Sequence, residues 1–266
     1  MELFAYLASG LIGVSLGLIG GGGSILTVPV MAYLFGINPL LATSYSLFIV
    51  GTTSLVGAYQ NFRNKLVDIR TALLFGLSSI ITVFLIRKFL IPLIPEHLFS
   101  LGGHPVTSNM LTMLLFALLM LSASYSMIRD RKTVDKANNA PSRNNLKLVI
   151  YGVGIGCATG FLGAGGGFLL IPTLVVLLGM PMNKAVGTSL MIIALNALIG
   201  FIGDLGHFLI DWRFLLQVTG IAVAGVYMGI YFSKKIDTKY LKKGFGWFVL
   251  LMGGYILLRE LIWKAK

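Results

Sequence analysis

The sequence predicts an all-α polytopic membrane protein. It consists of two homologous halves, inverted relative to one another. Each half is a glycine-broken helical hairpin followed by three transmembrane helices. Three observations carry this expectation. First, 56% of the 266 residues are hydrophobic and only 11% are charged, whereas a soluble domain carries roughly 25% charged residues. Mean hydropathy is +0.89, and several apolar runs reach about 20 residues, the length that crosses a bilayer core. Second, residues 13–68 align without a gap on residues 156–211. Third, a glycine-rich run at 20–24 returns at 163–167.

The repeat is more than shared apolar composition. Under one constant shift, Gly13 falls on Gly156, Gly17 on Gly160, Gly20 on Gly163, Gly22 on Gly165 and Gly23 on Gly166. Pro29 falls on Pro172, Ser46 on Ser189, Gly57 on Gly200 and Asp68 on Asp211. Leucines could coincide by chance in apolar runs; this set could not. The first transmembrane repeat is assigned to 1–128, a basic cytoplasmic linker to 129–145 and the second repeat to 146–266. The linker carries Arg131, Lys132, Lys136 and Arg143 among Asn, Pro and Ser. That makes it too polar for lipid.

Within each half the elements follow in the same order. An apolar segment (3–19; 146–162) leads into the glycine run, and a shorter one (24–36; 167–179) leaves it. A long helix follows (39–60; 182–203), then two more (70–94 and 108–128; 212–233 and 243–262). Glycine interrupts a helix because it loses the most backbone entropy on ordering. Residues 3–36 as one helix would be about 50 Å long at 1.5 Å per residue, against a hydrocarbon core of about 30 Å. A hairpin at each break fits better, and the second arm is short enough to be re-entrant.

Charge favours the hairpin arrangement and one orientation over a single span through each break, for which the cations divide 13 to 8. With hairpins, one face holds Arg63, Lys65, Arg70, the cations of 129–147, Lys184 and the cations of 234–243, which is 15 of the 21 Lys and Arg residues. The other holds Arg87, Lys88, Arg213, Arg259, Lys264 and Lys266. The positive-inside rule then places the linker in the cytoplasm and both termini outside. The net charge of +12 reflects these loops and contact with anionic headgroups rather than nucleic-acid binding. A single cysteine, Cys157, excludes an internal disulfide framework and a cysteine-based zinc cluster. The N-terminus lacks a basic region and a cleavage site, so the first apolar run is expected to stay in the membrane.

Helix breaks at matching positions of inverted repeats occur at the binding sites of secondary transporters. Unpaired N–H groups and the positive end of a helix dipole can hold an anion there without a cation. The candidate substrate site is Gly21, Gly22, Gly23 and Ser24 with Gly165, Gly166 and Gly167. Hydroxyls near the start of the following helix, Ser44, Ser46, Thr188 and Ser189, complete it, with Asn196 one or two turns on. Isolated Gly13, Gly17, Gly152 and Gly156 read as packing glycines. Asp68 and Asp211 read as helix N-caps. Asp204 and His207, at a predicted helix end, are weak coupling candidates placed near the surface. The chain has no GxxxxGK[ST] loop, no HExxH and no paired intramembrane carboxylates, so no cofactor, metal or catalytic residue is expected.

The repeated glycine runs, the prolines that follow them, Ala185-Val186-Gly187-Thr188-Ser189-Leu190 and Ile210-Asp211-Trp212 together resemble the sulfite exporter TauE/SafE family. The first half departs at Ala42-Thr43-Ser44-Tyr45-Ser46-Leu47, where tyrosine stands in place of threonine. The resemblance implies a non-enzymatic secondary transporter of the bacterial inner membrane. It would export sulfite or a related sulfur oxyanion; the repeats add alternating access of one half against the other, and the sequence leaves monomer and homodimer both open. A transporter of an organic sulfonate or of thiosulfate is the alternative within transport. A membrane scaffold whose glycines only pack helices is the alternative outside it.

Overall fold

The computed structural model describes residues 2–95, 97–101, 104–128, 145–163, 165–233 and 238–263. All of the linker 129–145 except Asn145 lies outside them. The chain begins with α1 (Glu2–Ile19). A 3-10 turn (Gly21–Leu26), the single helical turn α2 (Thr27–Pro29) and a π turn (Val30–Leu34) form the returning arm. The long helices α3 (Pro39–Arg63) and α4 (Ile69–Leu85) follow, α4 continuing through further turns to Leu93. A short antiparallel hairpin, β1 (His97–Leu101) with β2 (His104–Thr107), precedes α5 (Ser108–Ile128). This hairpin is an addition to the all-α expectation.

The second half repeats the plan: α6 (Asn145–Leu162), α7 (Gly167–Pro172) with a π turn (Thr173–Leu177), α8 (Met182–Asp204), α9 (Trp212–Ser233) and α10 (Thr238–Leu258). Sequence-based bounds agree closely with these, except that α10 starts at Thr238, inside the basic run. Among the described residues, six helices are long and apolar enough to cross a membrane: α3, α4, α5, α6, α8 and α9. Their outer faces expose Leu73, Leu77, Ile81, Leu115, Leu118, Leu216 and Tyr227. In water such a belt would be an aggregation surface; in lipid it is the solvent-matched exterior. The chain is a multi-pass membrane protein.

The first break is a hairpin. Tyr6, near the start of α1, stacks edge to face on Phe35 at the end of the returning arm, with ring centroids 5.5 Å apart. At the turn, Gly23 lies against the backbone of Ser15 and Leu16. The first short arm therefore returns to the end of the bundle where α1 begins.

The halves interlock instead of packing as two lobes. The first helix of each half lies in parallel against the fourth-segment helix of the other: α1 on α9, and α6 on α4. Gly13 meets the Ala222 backbone and Gly17 the Val226 backbone; Gly152, Gly156 and Gly160 meet Phe75, Ser79 and Ile86. These glycines pack helices, as their spacing predicts. The repeat-equivalent helices pair with one another and run antiparallel. On α3 and α8, Gly51 lies against Leu198, Gly57 against Leu190 and Gly200 against Leu47. On α5 and α10, Gly253 lies against Met120 and Gly246 against Ile128. The core lies between α3 and α8, which hold the most buried residues, with aromatic packing of Phe48, Phe201 and Trp212 at one end.

Candidate functional site

The two glycine breaks touch at the centre of the molecule. Gly21 and Gly167 face each other so closely that a Cβ on either would strike the other's backbone. Gly20 turns the chain with φ 76°, and Gly163 does the same with φ 65°, a left-handed geometry that side chains disfavour. The first N–H groups of each returning arm precede any intrahelical acceptor. Gly165 packs on Val50 and Ile193, one residue from each central helix. Of the predicted glycines, Gly21 and Gly167 meet directly, Gly165 lies against α3 and α8, Gly23 lies against α1 and Gly166 against α6.

The hydroxyls divide differently. Ser24 is buried but donates to the Gly21 carbonyl at 2.8 Å. It therefore closes the turn and does not cap a helix; the cap position is Gly20. Ser189 donates to the Val186 carbonyl of the preceding turn at 2.9 Å. Asn196 donates to Ser79 Oγ at 2.6 Å, tying α8 to α4, the interhelical bond that is the ordinary role of a membrane asparagine. Thr188 accepts the backbone N–H of Asp68 at 2.9 Å, and Tyr45 accepts that of Asp211 at 2.8 Å. Ser46 and Ser44 keep buried hydroxyls without a hydrogen-bond partner. The carboxylates of Asp68 and Asp211 accept from Thr71 and Phe214 N–H, as expected of N-caps.

A cavity of about 350 Å³ opens among Gln60, Asn61, Asn64 and Asn183 and runs inward past Thr53 and Ser54 to Gly20. It ends at the first glycine break. The Ser54 hydroxyl is buried there without a partner. Ser44, Ser46, Thr188 and Ser189 do not line it; Thr53, Ser54 and Asn61, on the later turns of α3, take that place. Their signal in the sequence was a second hydroxyl pair two turns beyond the first.

On the far side of the breaks lies a buried ion pair. Arg87 and Asp204 are both fully buried, with Arg87 Nη1 donating to Asp204 Oδ2 at 3.0 Å. The same nitrogen donates to Thr43 Oγ1 at 3.0 Å, and the guanidinium lies over Gly163. Ser44 sits beside the Asp204 carboxylate without closing a well-aligned hydrogen bond. Arg87 Nε and Nη2 and Asp204 Oδ1 have no hydrogen-bond partner. This corrects two expectations. Asp204 is not near the surface, and Arg87 is not a cation of the outer face, because the helical segment expected over 70–94 carries it inside the bundle. His207 is exposed; its N–H donates to the Asp204 carbonyl at 3.1 Å.

No group of His, Cys, Asp and Glu suited to a metal ion occurs among the described residues. Cys157 is half-buried on α6, facing α5.

Comparison with known proteins places this architecture. A probable membrane transporter protein of Xylella fastidiosa is 29% identical over 258 residues, covering 95% of this chain and 94% of the relative. The probable membrane transporter protein YdhB of Bacillus subtilis is 29% identical, covering 87% of this chain and 90% of its own length. A probable membrane transporter protein of Methanocaldococcus jannaschii is 22% identical, covering 93% and 92%. No solved structure matches. The sulfite exporter TauE/SafE family matches residues 5–256. That span takes in both halves and both glycine breaks, so the chain belongs to the sulfite exporter TauE/SafE family and is a membrane transporter.

Proposed function

We propose that the protein exports a small sulfur oxyanion, sulfite foremost, across the cytoplasmic membrane by alternating access between two inverted halves. The observation that carries this is the cavity that runs from Asn61 to Gly20, the residue next to the contact of Gly21 with Gly167. An anion entering that cavity reaches backbone N–H groups and the Ser54 hydroxyl in a water-poor place, where such donors act strongly. The antiparallel pairing of the equivalent helices α3 and α8 supports inversion of the halves. The cavity opens at the end bearing Arg63, Lys65 and Lys184, the face that the positive-inside rule makes cytoplasmic. Those cations raise the local anion concentration at the mouth. The membrane potential, negative inside, then favours outward movement by about 2.3 kcal/mol per charge at 100 mV.

Ligand-dependent thermal stability of the purified protein tests the reading. A ligand at 100 times its Kd stabilises the folded state by about 2.7 kcal/mol. Sulfite, thiosulfate, methanesulfonate, sulfate and chloride are compared at equal ionic strength. A sulfur oxyanion raises Tm above the chloride control. A scaffold whose glycines only pack helices shows equal curves for all five.

A further inference from the structure

The repeat relation assigns each residue around the buried ion pair a counterpart in the other half. Gly163 corresponds to Gly20, Thr43 to Val186, Arg87 to Ile230 and Asp204 to Asn61. All four counterparts line the open cavity. One sequence-equivalent region is therefore empty and connected to the cytoplasmic face, while the other is filled by Arg87 and Asp204. The two sides of the glycine breaks are equivalent in backbone and opposite in state.

The filled side is also an incomplete ion pair. Burying two charges is costly, and the cost is offset only when the remaining donors and acceptors are satisfied. Here Arg87 uses one nitrogen on Asp204 and Thr43, leaving Nε and Nη2 unpartnered and fully buried above Gly163. A guanidinium offers a planar fork of donors that matches an oxyanion with two oxygens in one plane. Asp204 occupies part of that fork. Its carboxylate has the same shape and charge class as the proposed substrate.

We propose that Arg87 and Asp204 form a substrate-operated latch, in which an oxyanion passing the glycine breaks replaces the Asp204 carboxylate on the Arg87 guanidinium and so releases α8 from α4 on the outer side. The inference rests on the export reading above and adds a cationic ligand and a gate to it. Arg87 binds the anion when the outer side opens, and Asp204 holds the site shut when no anion is present. Both groups belong to one side only, so the two equivalent access routes differ in chemistry: neutral and polar at Asn61, charged and closed at Asp204. The anion leaves once Asp204 returns to Arg87.

The test combines binding, flux and labelling in lipid nanodiscs and liposomes. Arg87→Lys keeps the charge but loses the fork, and it weakens sulfite binding at least about tenfold, a 1.4 kcal/mol change or more. Exchanging the pair, Arg87→Asp with Asp204→Arg, retains a buried ion pair and the wild-type Tm but leaves sulfite flux lost. A purely structural pair predicts that this exchange restores flux, and that result overturns the proposal. So does wild-type sulfite affinity in folded Arg87→Lys. For the gate, Ser44→Cys in a Cys157→Ser background reports opening through maleimide labelling. Saturating sulfite speeds labelling about tenfold, and Asp204→Asn speeds it without sulfite; an unchanged rate in both overturns the gate. Should the wild-type protein bind no sulfur oxyanion, the export reading fails by itself. Faster labelling of Asp204→Asn then still upholds a gate, and an unchanged rate removes it.

Discussion

The hydroxyl of Thr188 accepts the backbone N–H of Asp68, 2.9 Å away across the two halves. Its counterpart Tyr45 accepts the N–H of Asp211 at 2.8 Å. The two bonds are the same bond under the repeat relation, made once by a threonine and once by a tyrosine. Each fastens the start of one central helix to the loop that opens the next helix in the other half. The replacement of threonine by tyrosine in the first half is therefore a longer side chain making an equivalent clasp.

Thr188→Val removes the acceptor while keeping the shape. The buried N–H of Asp68 then lacks its partner, and the protein loses about 1–3 kcal/mol of stability. Because the Thr188 oxygen is engaged by Asp68, sulfite affinity is expected to stay within about threefold of wild type. Thermal unfolding and a binding titration on the same sample check both halves of this expectation.

Tyr45→Phe is the matching change in the first half and is expected to cost about the same. The ring still packs on Phe214, 5.9 Å away between centroids. Combined with Thr188→Val, the two losses should add, since each clasp stands on its own loop. Differential scanning fluorimetry of the single and double variants measures this.

Gly21→Ala and Gly167→Ala each place a methyl group into the other break's backbone. Both are expected to lower expression of folded protein sharply and abolish transport. Gly154, with nothing near its would-be Cβ, is the control. Gly154→Ala is expected to raise stability by about 0.5–1 kcal/mol through helix propensity. Size-exclusion profiles and Tm separate the two outcomes.

Much of this was legible in the sequence because the signals were periodic. The repeat came from glycine and proline registers, and the bounds of α5 and α9 from the lengths of their apolar runs. Asp68 and Asp211 were readable as caps, since capping is local. What was not legible was pairing across the halves. Thr188 reads as a substrate hydroxyl in the sequence, and nothing local announces that its oxygen also accepts a backbone N–H 120 residues away. Arg87 was counted among the outer-face cations because a charged pair, Arg87 and Lys88, near the end of a span ordinarily reaches the headgroups. Only the packing of α4 against α8 puts Asp204 opposite it and makes its burial tolerable.

Asn196→Leu tests the tie to α4. It removes the donor to Ser79 Oγ and leaves that hydroxyl buried with one partner fewer. Interhelical bonds of this kind contribute about 0.6 kcal/mol on average in a bilayer. A small loss of Tm with unchanged sulfite affinity is expected, and a large loss of affinity with unchanged Tm would return Asn196 to the substrate site.

The central claim is that the paired glycine breaks carry a sulfur oxyanion through the membrane. Its most direct measurement is flux of radiolabelled sulfite in liposomes holding the purified protein, with an imposed potential. The account predicts saturable sulfite movement toward the positive side, slowed by excess unlabelled sulfite and reversed when the potential is reversed. Flux no greater than in protein-free liposomes for sulfite, thiosulfate and sulfonates alike would contradict it.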